Sequence, residues 1–182
     1  LLGGCMDLPT PAPNIPTAPN VTRLPVTPLP GWDTPTPGAP AGEEVVRVYF
    51  TSADGASGEA GALEEALLAD INAARTRVDM AMYNLSLRRV ADALIAAQQR
   101  GVEVRMVTDS DALDGVQMQR LQSANVPLVG DRREGLMHNK FVVIDGKEVW
   151  TGSMNLTTSG AYQDNNNLIR IDSTELARDY EA

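Results

Sequence analysis

Apolar residues in the second part of the chain follow two spacings. Short runs of β-branched and aromatic residues predict strands, and the segments between them, where apolar residues recur every three or four positions, predict helices. The predicted strands span 45–50, 78–83, 102–107 and 127–129. The predicted helices span 63–77, 86–101 with Ser86 as N-cap, 117–124, and a segment that begins at 173.

Strands that alternate with helices predict an α/β fold with a mixed, mostly parallel sheet and helices on both faces. In such folds, functional groups gather beyond the carboxyl ends of the strands. The residues at these ends are Tyr83, Asn84, Asp109 and the loop after Gly130.

The first forty residues have a different character, because they hold eleven of the twelve prolines. Proline fixes φ and removes a donor, so this stretch predicts a disordered, extended tether over residues 1–40. The domain is therefore expected over residues 41–182. Its last residues resemble a helix that has only begun, which predicts a domain truncated at its C-terminus.

The composition of the chain excludes several kinds of site. One cysteine excludes a disulfide framework, and one histidine with one cysteine excludes an ordinary zinc site. The net charge of −9 argues against a broad basic face for nucleic acid. Asp109, Asp111 and Asp114 invite a metal hypothesis, but helix starts explain two of them better. No cofactor is expected.

A hairpin is predicted at Asp145-Gly146, which lies between two apolar runs. A two-residue turn there opposes Lys140 to Thr151 and His138 to Ser153, and Asn155 follows on the same face. The residues expected on the opposite, core-like face are Phe141, Val143 and Trp150.

The expected cluster suits a phosphate diester. A neutral imidazole such as His138 can attack phosphorus and hold it covalently. Lys140 supplies positive charge for the non-bridging oxygens, and Ser153 and Asn155 supply donors.

These residues resemble the phospholipase D superfamily, whose motif is His-x-Lys-x4-Asp followed by Gly-Ser-x-Asn. His138, Lys140 and Asp145 match the first part, and Gly152, Ser153 and Asn155 match the second. The resemblance implies the family fold and a metal-independent, two-step mechanism in which the histidine of a second motif protonates the leaving group. Asp145 is expected to support the site, since the turn alone also explains an aspartate there.

Two features depart from the family pattern. The chain has a single histidine, so a complete site needs a homodimer or a second motif beyond Ala182. Many family members also carry a glutamate that orients the nucleophilic histidine, and here the best alignment places Asn166 at that position, with Asp164 as a substitute.

The start of the chain resembles the lipobox of bacterial lipoproteins, with Cys5 as the lipid-bearing residue before the tether. This resemblance implies a secreted or cell-envelope protein held at a membrane by a lipid anchor.

Together these features predict a phospholipase D-like phosphodiesterase acting on phospholipids through a phosphohistidine. The alternatives are a metal-independent, nonspecific endonuclease acting on nucleic acid, and a non-catalytic phosphate-binding module.

Overall fold

The structure, a computed structural model, describes residues 46–51 and 61–182, which belong to the compact unit Ala41–Ala182. The predictions for Cys5 and for the tether over residues 1–40 lie outside the described residues. The described strands are β1 (Val46–Phe50), β2 (Arg77–Met82), β3 (Glu103–Thr108), β4 (Leu128–Gly130), β5 (Lys140–Ile144), β6 (Glu148–Gly152) and β7 (Asn167–Asp172). The described α-helices are α1 (Ala62–Ala73), α2 (Arg88–Gln99), α3 (Val116–Ser123), α4 (Thr158–Tyr162) and α5 (Thr174–Glu181).

The helices α1 and α2 form where apolar residues recur on one side of the chain. Leu63, Leu67 and Ile71 are buried along α1, and Val90 and Leu94 are buried along α2. A stripe at this spacing covers one side of a helix, so each helix packs against the sheet by that side.

The expected N-cap at Ser86 is wrong. The helix α2 begins at Arg88, and the amides of Ser86 and Leu87 donate to the carbonyl of Leu156 at 2.8 and 2.9 Å. Leu85 also forms an isolated bridge with Leu156. This backbone pairing holds Ser86 in extended chain ahead of the helix.

The seven described strands form one mixed sheet in the order β1-β7-β6-β5-β2-β3-β4. The α/β class and the mixed sheet are confirmed, but the expectation of a mostly parallel sheet is wrong. Only β2, β3 and β4 are parallel neighbours, and the other four pairings are antiparallel. The reversal begins at the loop before β5, which sets β5 antiparallel to β2. The hairpin after β5 and the short helical segment after β6 then reverse the chain again, where a long crossover would have kept the strands parallel.

Helices cover both faces of the sheet, as expected. The larger core lies between the sheet and the helices α1 to α4, and includes Val142, Ile144 and Trp150. The smaller core joins Val143 and Val149 to α5 on the opposite face.

The hairpin between β5 and β6 differs from its predicted register by one residue. Asp145 and Gly146 both have positive φ, as expected, and the amide of Lys147 donates to the carbonyl of Ile144 at 3.1 Å. Lys147 is an extra, unpaired residue, so Ile144 pairs with Glu148. A shift of one residue moves side chains to the other face of a sheet.

This register corrects two placements. Val142 pairs with Trp150, so Trp150 lies on the Lys140 face, in the larger core. Thr151 pairs with Phe141 and faces away from the Lys140 side chain; its hydroxyl donates to the backbone carbonyl of Lys140 at 3.1 Å. Thr151 is therefore not part of the expected cluster.

Within residues 46–51 and 61–182, no helix is long and apolar enough to cross a bilayer.

Candidate active site

The motif histidine lies at the carboxyl end of β2. The strand β5 runs antiparallel to β2, with Lys140 opposite Met82, and the amide of Tyr83 donates to the carbonyl of Asn139 at 2.9 Å. This pairing places His138 beside Tyr83, with ring centroids 5.1 Å apart. His138 is exposed, and its imidazole forms no hydrogen bond with any described residue. The imidazole is therefore accessible to a ligand.

Lys140 is a buried cation, with only 7% of its surface exposed. Its Nζ donates to the carbonyl of His138 at 3.0 Å and lies 5.4 Å from the centre of the Tyr83 ring. It forms no ion pair with a carboxylate of the described chain. Burial lowers the pKa of this ammonium group, because removing water disfavours its charged form. An anion bound beside Lys140 would supply the negative charge that this buried ammonium group lacks among the described residues.

Ser153 stands just after β6 and is exposed. Its hydroxyl donates to Oδ1 of Asn166 at 2.9 Å and accepts from the amide of Asn167 at 3.0 Å. The side-chain amide of Asn166 also donates, through Nδ2, to the carbonyl of Gly160 at 3.0 Å. Asn166 therefore contacts Ser153, not His138, although the alignment assigns it the orienting position. The backbone carbonyl of Asp164 accepts a hydrogen bond from the hydroxyl of Thr51 at 2.7 Å.

Asn155 carries an unsatisfied group. Its Oδ1 is buried and has no hydrogen-bond partner among the described residues. A buried polar atom without a partner costs about 1–3 kcal/mol, so this oxygen can accept a hydrogen bond from a donor group of a ligand. The main chain around it is fixed, because the carbonyl of Asn155 accepts from the amide of Thr157 at 2.8 Å.

Asp145 lies at the other end of β5 from the histidine, roughly 17 Å along the strand from Lys140. Its carboxylate accepts from the amides of Arg75, Thr76 and Arg77 and from the Thr76 hydroxyl at 2.8–3.1 Å. Burial acts to raise the pKa of this carboxyl, but these hydrogen bonds outweigh it and lower the pKa. The grouping of Asp145 with the catalytic residues is therefore corrected: it anchors the turn to the chain before β2.

Asp109 is a positioning residue whose role the sequence pattern only partly indicates. Its buried carboxylate accepts from the amide of Asp111 at 2.9 Å, as a helix start predicts, and also from the amide of Met137 at 2.9 Å. The second contact fixes the residue next to His138. Its only sequence signal is an aspartate at a strand end, since the partner lies 28 residues away.

The segment before the motif forms a loop beside the histidine, called here the rim loop (residues 131–137). Arg132, Arg133 and Leu136 are exposed on it. With His138 and Asn139, the rim loop lines a cavity of about 530 Å³. No group of three or more His, Cys, Asp and Glu side chains suited to a metal ion occurs in the described part of the chain.

The mixed sheet, with a His-x-Lys motif at the end of a central strand, defines a domain of the phospholipase D type. The family described as "Cardiolipin synthase, PLD-like domain" matches residues 67–182, more than half of the chain. The chain belongs to this phospholipase D-like family, which confirms the resemblance seen in the motif.

Relatives are similar over the same region. The chain is 35% identical over 114 residues to mitochondrial cardiolipin hydrolase from Mus musculus, covering 62% of this chain and 52% of that protein. It is 37% identical over 112 residues to a phospholipase D from Rickettsia felis, covering 60% of this chain and 56% of that protein. The chain thus spans about half the length of these curated relatives.

Two solved structures share the fold. Nuc from Salmonella typhimurium, a phospholipase D family member, superposes with a TM-score of 0.65 at 27% identity, over 75% of this chain and 88% of that chain. NucT from Helicobacter pylori gives a TM-score of 0.63 at 22% identity, over 75% and 90% of the two chains. The second likeness shows the fold alone.

Proposed function

We propose that this domain hydrolyses phosphodiester bonds of phospholipids through a covalent phosphohistidine at His138. The observation that carries the proposal is an exposed imidazole next to a buried lysine that lacks a carboxylate partner in the described chain. The names of the relatives, cardiolipin hydrolase and phospholipase D, support a phospholipid substrate.

The proposed reaction has two steps. His138 attacks phosphorus, so that a P–N bond forms as the P–O bond to the leaving alcohol breaks. Lys140 stabilises the negative charge that develops on the non-bridging oxygens, with Ser153 and Asn155 as further hydrogen-bonding groups. A second imidazole protonates the leaving alkoxide, then removes a proton from the water that breaks the P–N bond. The products are a free alcohol and a phosphomonoester.

We infer that the second imidazole comes from a second copy of this chain. The chain holds one histidine, so one copy cannot supply both groups. The exposure of His138 fits a site completed by a neighbouring subunit. A second motif in sequence beyond Ala182 is the alternative source.

The N-terminal prediction extends the proposal to location. We propose that Cys5 carries a lipid and that the proline-rich segment links the domain to a membrane of the cell envelope. Mass spectrometry of protein extracted from membranes tests this directly. An unmodified Cys5 would rule the anchor out.

Two other functions have specific support. Arg132 and Arg133 beside the histidine would also suit the phosphates of a nucleic acid, which favours the endonuclease alternative. The amide of Asn166, where many family members have a glutamate, favours a phosphate-binding module without turnover. Substrate tests separate all three.

The deciding experiment measures head-group release from mixed phospholipid vesicles in excess chelator, with the full chain beside His138→Ala. Release that the variant lacks supports a phospholipase that needs no metal. Circular dichroism confirms that the variant is folded. If neither protein releases head groups, plasmid and single-stranded substrates follow. Binding without any His138-dependent turnover would leave only the phosphate-binding module.

A further inference from the structure

We propose that the rim loop is a docking surface for an anionic phospholipid bilayer. The inference rests on the proposed function, because it concerns how the same site reaches a lipid phosphate. It adds a surface that neither the motif nor the family match assigns.

The base of the rim loop is held firmly at both ends. At its start, Oδ1 of Asp131 accepts from the amide and hydroxyl of Ser110 at 3.2 and 3.1 Å, and the Ser110 hydroxyl accepts from the amide of Arg132 at 2.8 Å. At its end, the amide of Met137 donates to the buried Asp109 carboxylate at 2.9 Å. The loop therefore presents its exposed side chains in a defined place beside His138.

The exposed part of the loop combines charge with apolar surface. Several described arginines are paired with carboxylates, as Arg105 is with Asp79 at 2.6 Å. The side chains of Arg132 and Arg133, in contrast, form no ion pair with a described residue. The loop also carries two carboxylates: that of Asp131 accepts from Ser110 at the base of the loop, and that of Glu134 is exposed. Leu136 is 65% exposed.

This combination matches a bilayer better than a nucleic acid. Guanidinium groups bind phosphates of either partner, but a nucleic-acid backbone leaves Leu136 in water. At a bilayer, the arginines reach the head groups while the leucine enters the boundary of the acyl chains. Because the net charge of the chain is −9, overall charge does not attract it to an anionic surface. A local patch has to supply both attraction and orientation.

The test is co-sedimentation of the full chain with phosphatidylcholine vesicles that contain or lack 30% cardiolipin. Every protein carries Cys5→Ser, so that no attached lipid contributes to binding. Each arginine near an anionic surface is worth about a fivefold change in partition. The double variant Arg132→Gln, Arg133→Gln should therefore bind about 25-fold more weakly, and Leu136→Ser about tenfold more weakly.

Matched controls use residues away from the loop. Val116 is 70% exposed at the start of α3, and Arg178 is exposed on α5. Val116→Ser and Arg178→Gln should bind vesicles as the parent does. The proposal is overturned if the parent binds vesicles equally with and without cardiolipin, or if loop and control variants bind equally. It is also overturned if the loop variants weaken binding to labelled DNA or RNA and not to vesicles.

Hydrolysis of a soluble diester, bis(4-nitrophenyl) phosphate, separates this inference from the proposed function. Turnover that needs His138, together with failed vesicle binding, overturns the docking surface alone. Vesicle binding that needs the rim loop, together with no His138-dependent turnover of any substrate, overturns the proposed hydrolase function alone.

Discussion

Lys140 holds its charge where little water reaches it, and this position has a measurable consequence. Burial lowers its pKa from the ordinary value of 10.5, so the ammonium loses its proton at a lower pH than an exposed lysine. The positive charge that would stabilise a phosphate is therefore lost at a lower pH than the charge of an exposed lysine.

The chain makes this prediction easy to test, because Lys140 and Lys147 are its only lysines. Protein labelled with ¹³C at the lysine ε-carbon should give two signals in a pH titration, and Lys147→Arg assigns them. The signal that remains in that variant should titrate below pH 10.5. A titration at or above that value would contradict the effect of burial.

Asp145 occupies a position of the family motif, but its carboxylate acts in the fold and not beside the histidine. Its ionised carboxylate accepts hydrogen bonds from four donor groups, and these bonds lower its pKa. A lowered pKa means that the stabilisation is present above the ordinary value of 3.8 and is lost as pH falls through the folded-state pKa.

We expect Asp145→Asn to lower the free energy of unfolding by about 1–2 kcal/mol at pH 7. The difference from the parent should shrink in acid, because the stabilisation by the ionised carboxylate is progressively lost below pH 3.8. Urea unfolding at pH 7 and pH 3 measures it. Asp179→Asn, at an exposed carboxylate of α5, serves as the control. An equal loss at both pH values would show that the carboxylate charge is not the cause.

At the scale of elements, the hairpin shows what local sequence determines and what it does not. Asp145-Gly146 encodes positive φ at both turn residues, and the structure has it. The extra residue, Lys147, is not encoded locally. The bulged register buries Trp150 in the larger core, where its indole N–H donates to Asp70 at 3.0 Å. That contact joins residues 80 positions apart, so no short-range pattern reveals it.

The short helix α4 supports the second half of the site through a glycine. A Cβ at Gly160 would lie 2.3 Å from the carbonyl oxygen of Asn155, far inside normal contact. The carbonyl of Gly160 also accepts from Asn166, which holds Ser153. A side chain at this position has to push the backbone of Asn155 away from its place.

Gly160→Ala should therefore reduce hydrolysis of a soluble diester by at least about tenfold, since small displacements at a site cost large factors in rate. Thr158→Ala, at an exposed position of the same helix, should keep the parent rate. Rates are compared at equal amounts of folded protein, judged by circular dichroism. Parent-like kcat/KM in Gly160→Ala would show that α4 does not position Asn155.

The Asp109 contact gives a parallel prediction for the first half of the site. Its two oxygens accept from two amides, and an asparagine can accept with only one of its two terminal atoms. Asp109→Asn should release Met137 and loosen His138, lowering kcat/KM by about tenfold. Asp111→Asn changes an exposed neighbour and should leave the rate unchanged. Equal rates in both variants would contradict the positioning role.

At the scale of the whole molecule, the sequence predicted the parts whose signals are local. The first half alternates strands and helices, and β2, β3 and β4 lie parallel as expected. The second half reverses direction through short connections, and β1 joins the far edge of the sheet by pairing with β7. That pairing links chain segments about 120 residues apart, and apolar patterning carries no information about such partners.

The single histidine makes the assembly itself testable. If each site needs an imidazole from two copies of the chain, a dimer with one His138→Ala subunit has no complete site. When wild type and variant are mixed in equal amounts and exchange subunits at random, a quarter of the dimers are wild type and half are mixed. The activity should therefore be about a quarter of that of wild type at the same total protein concentration. Independent subunits would give about half. Arg178→Gln as the mixing partner should cause no loss, and sedimentation should show a dimer at the assay concentration. Half activity, or an active monomer, would mean that a single copy performs both steps, with the second imidazole replaced by another group.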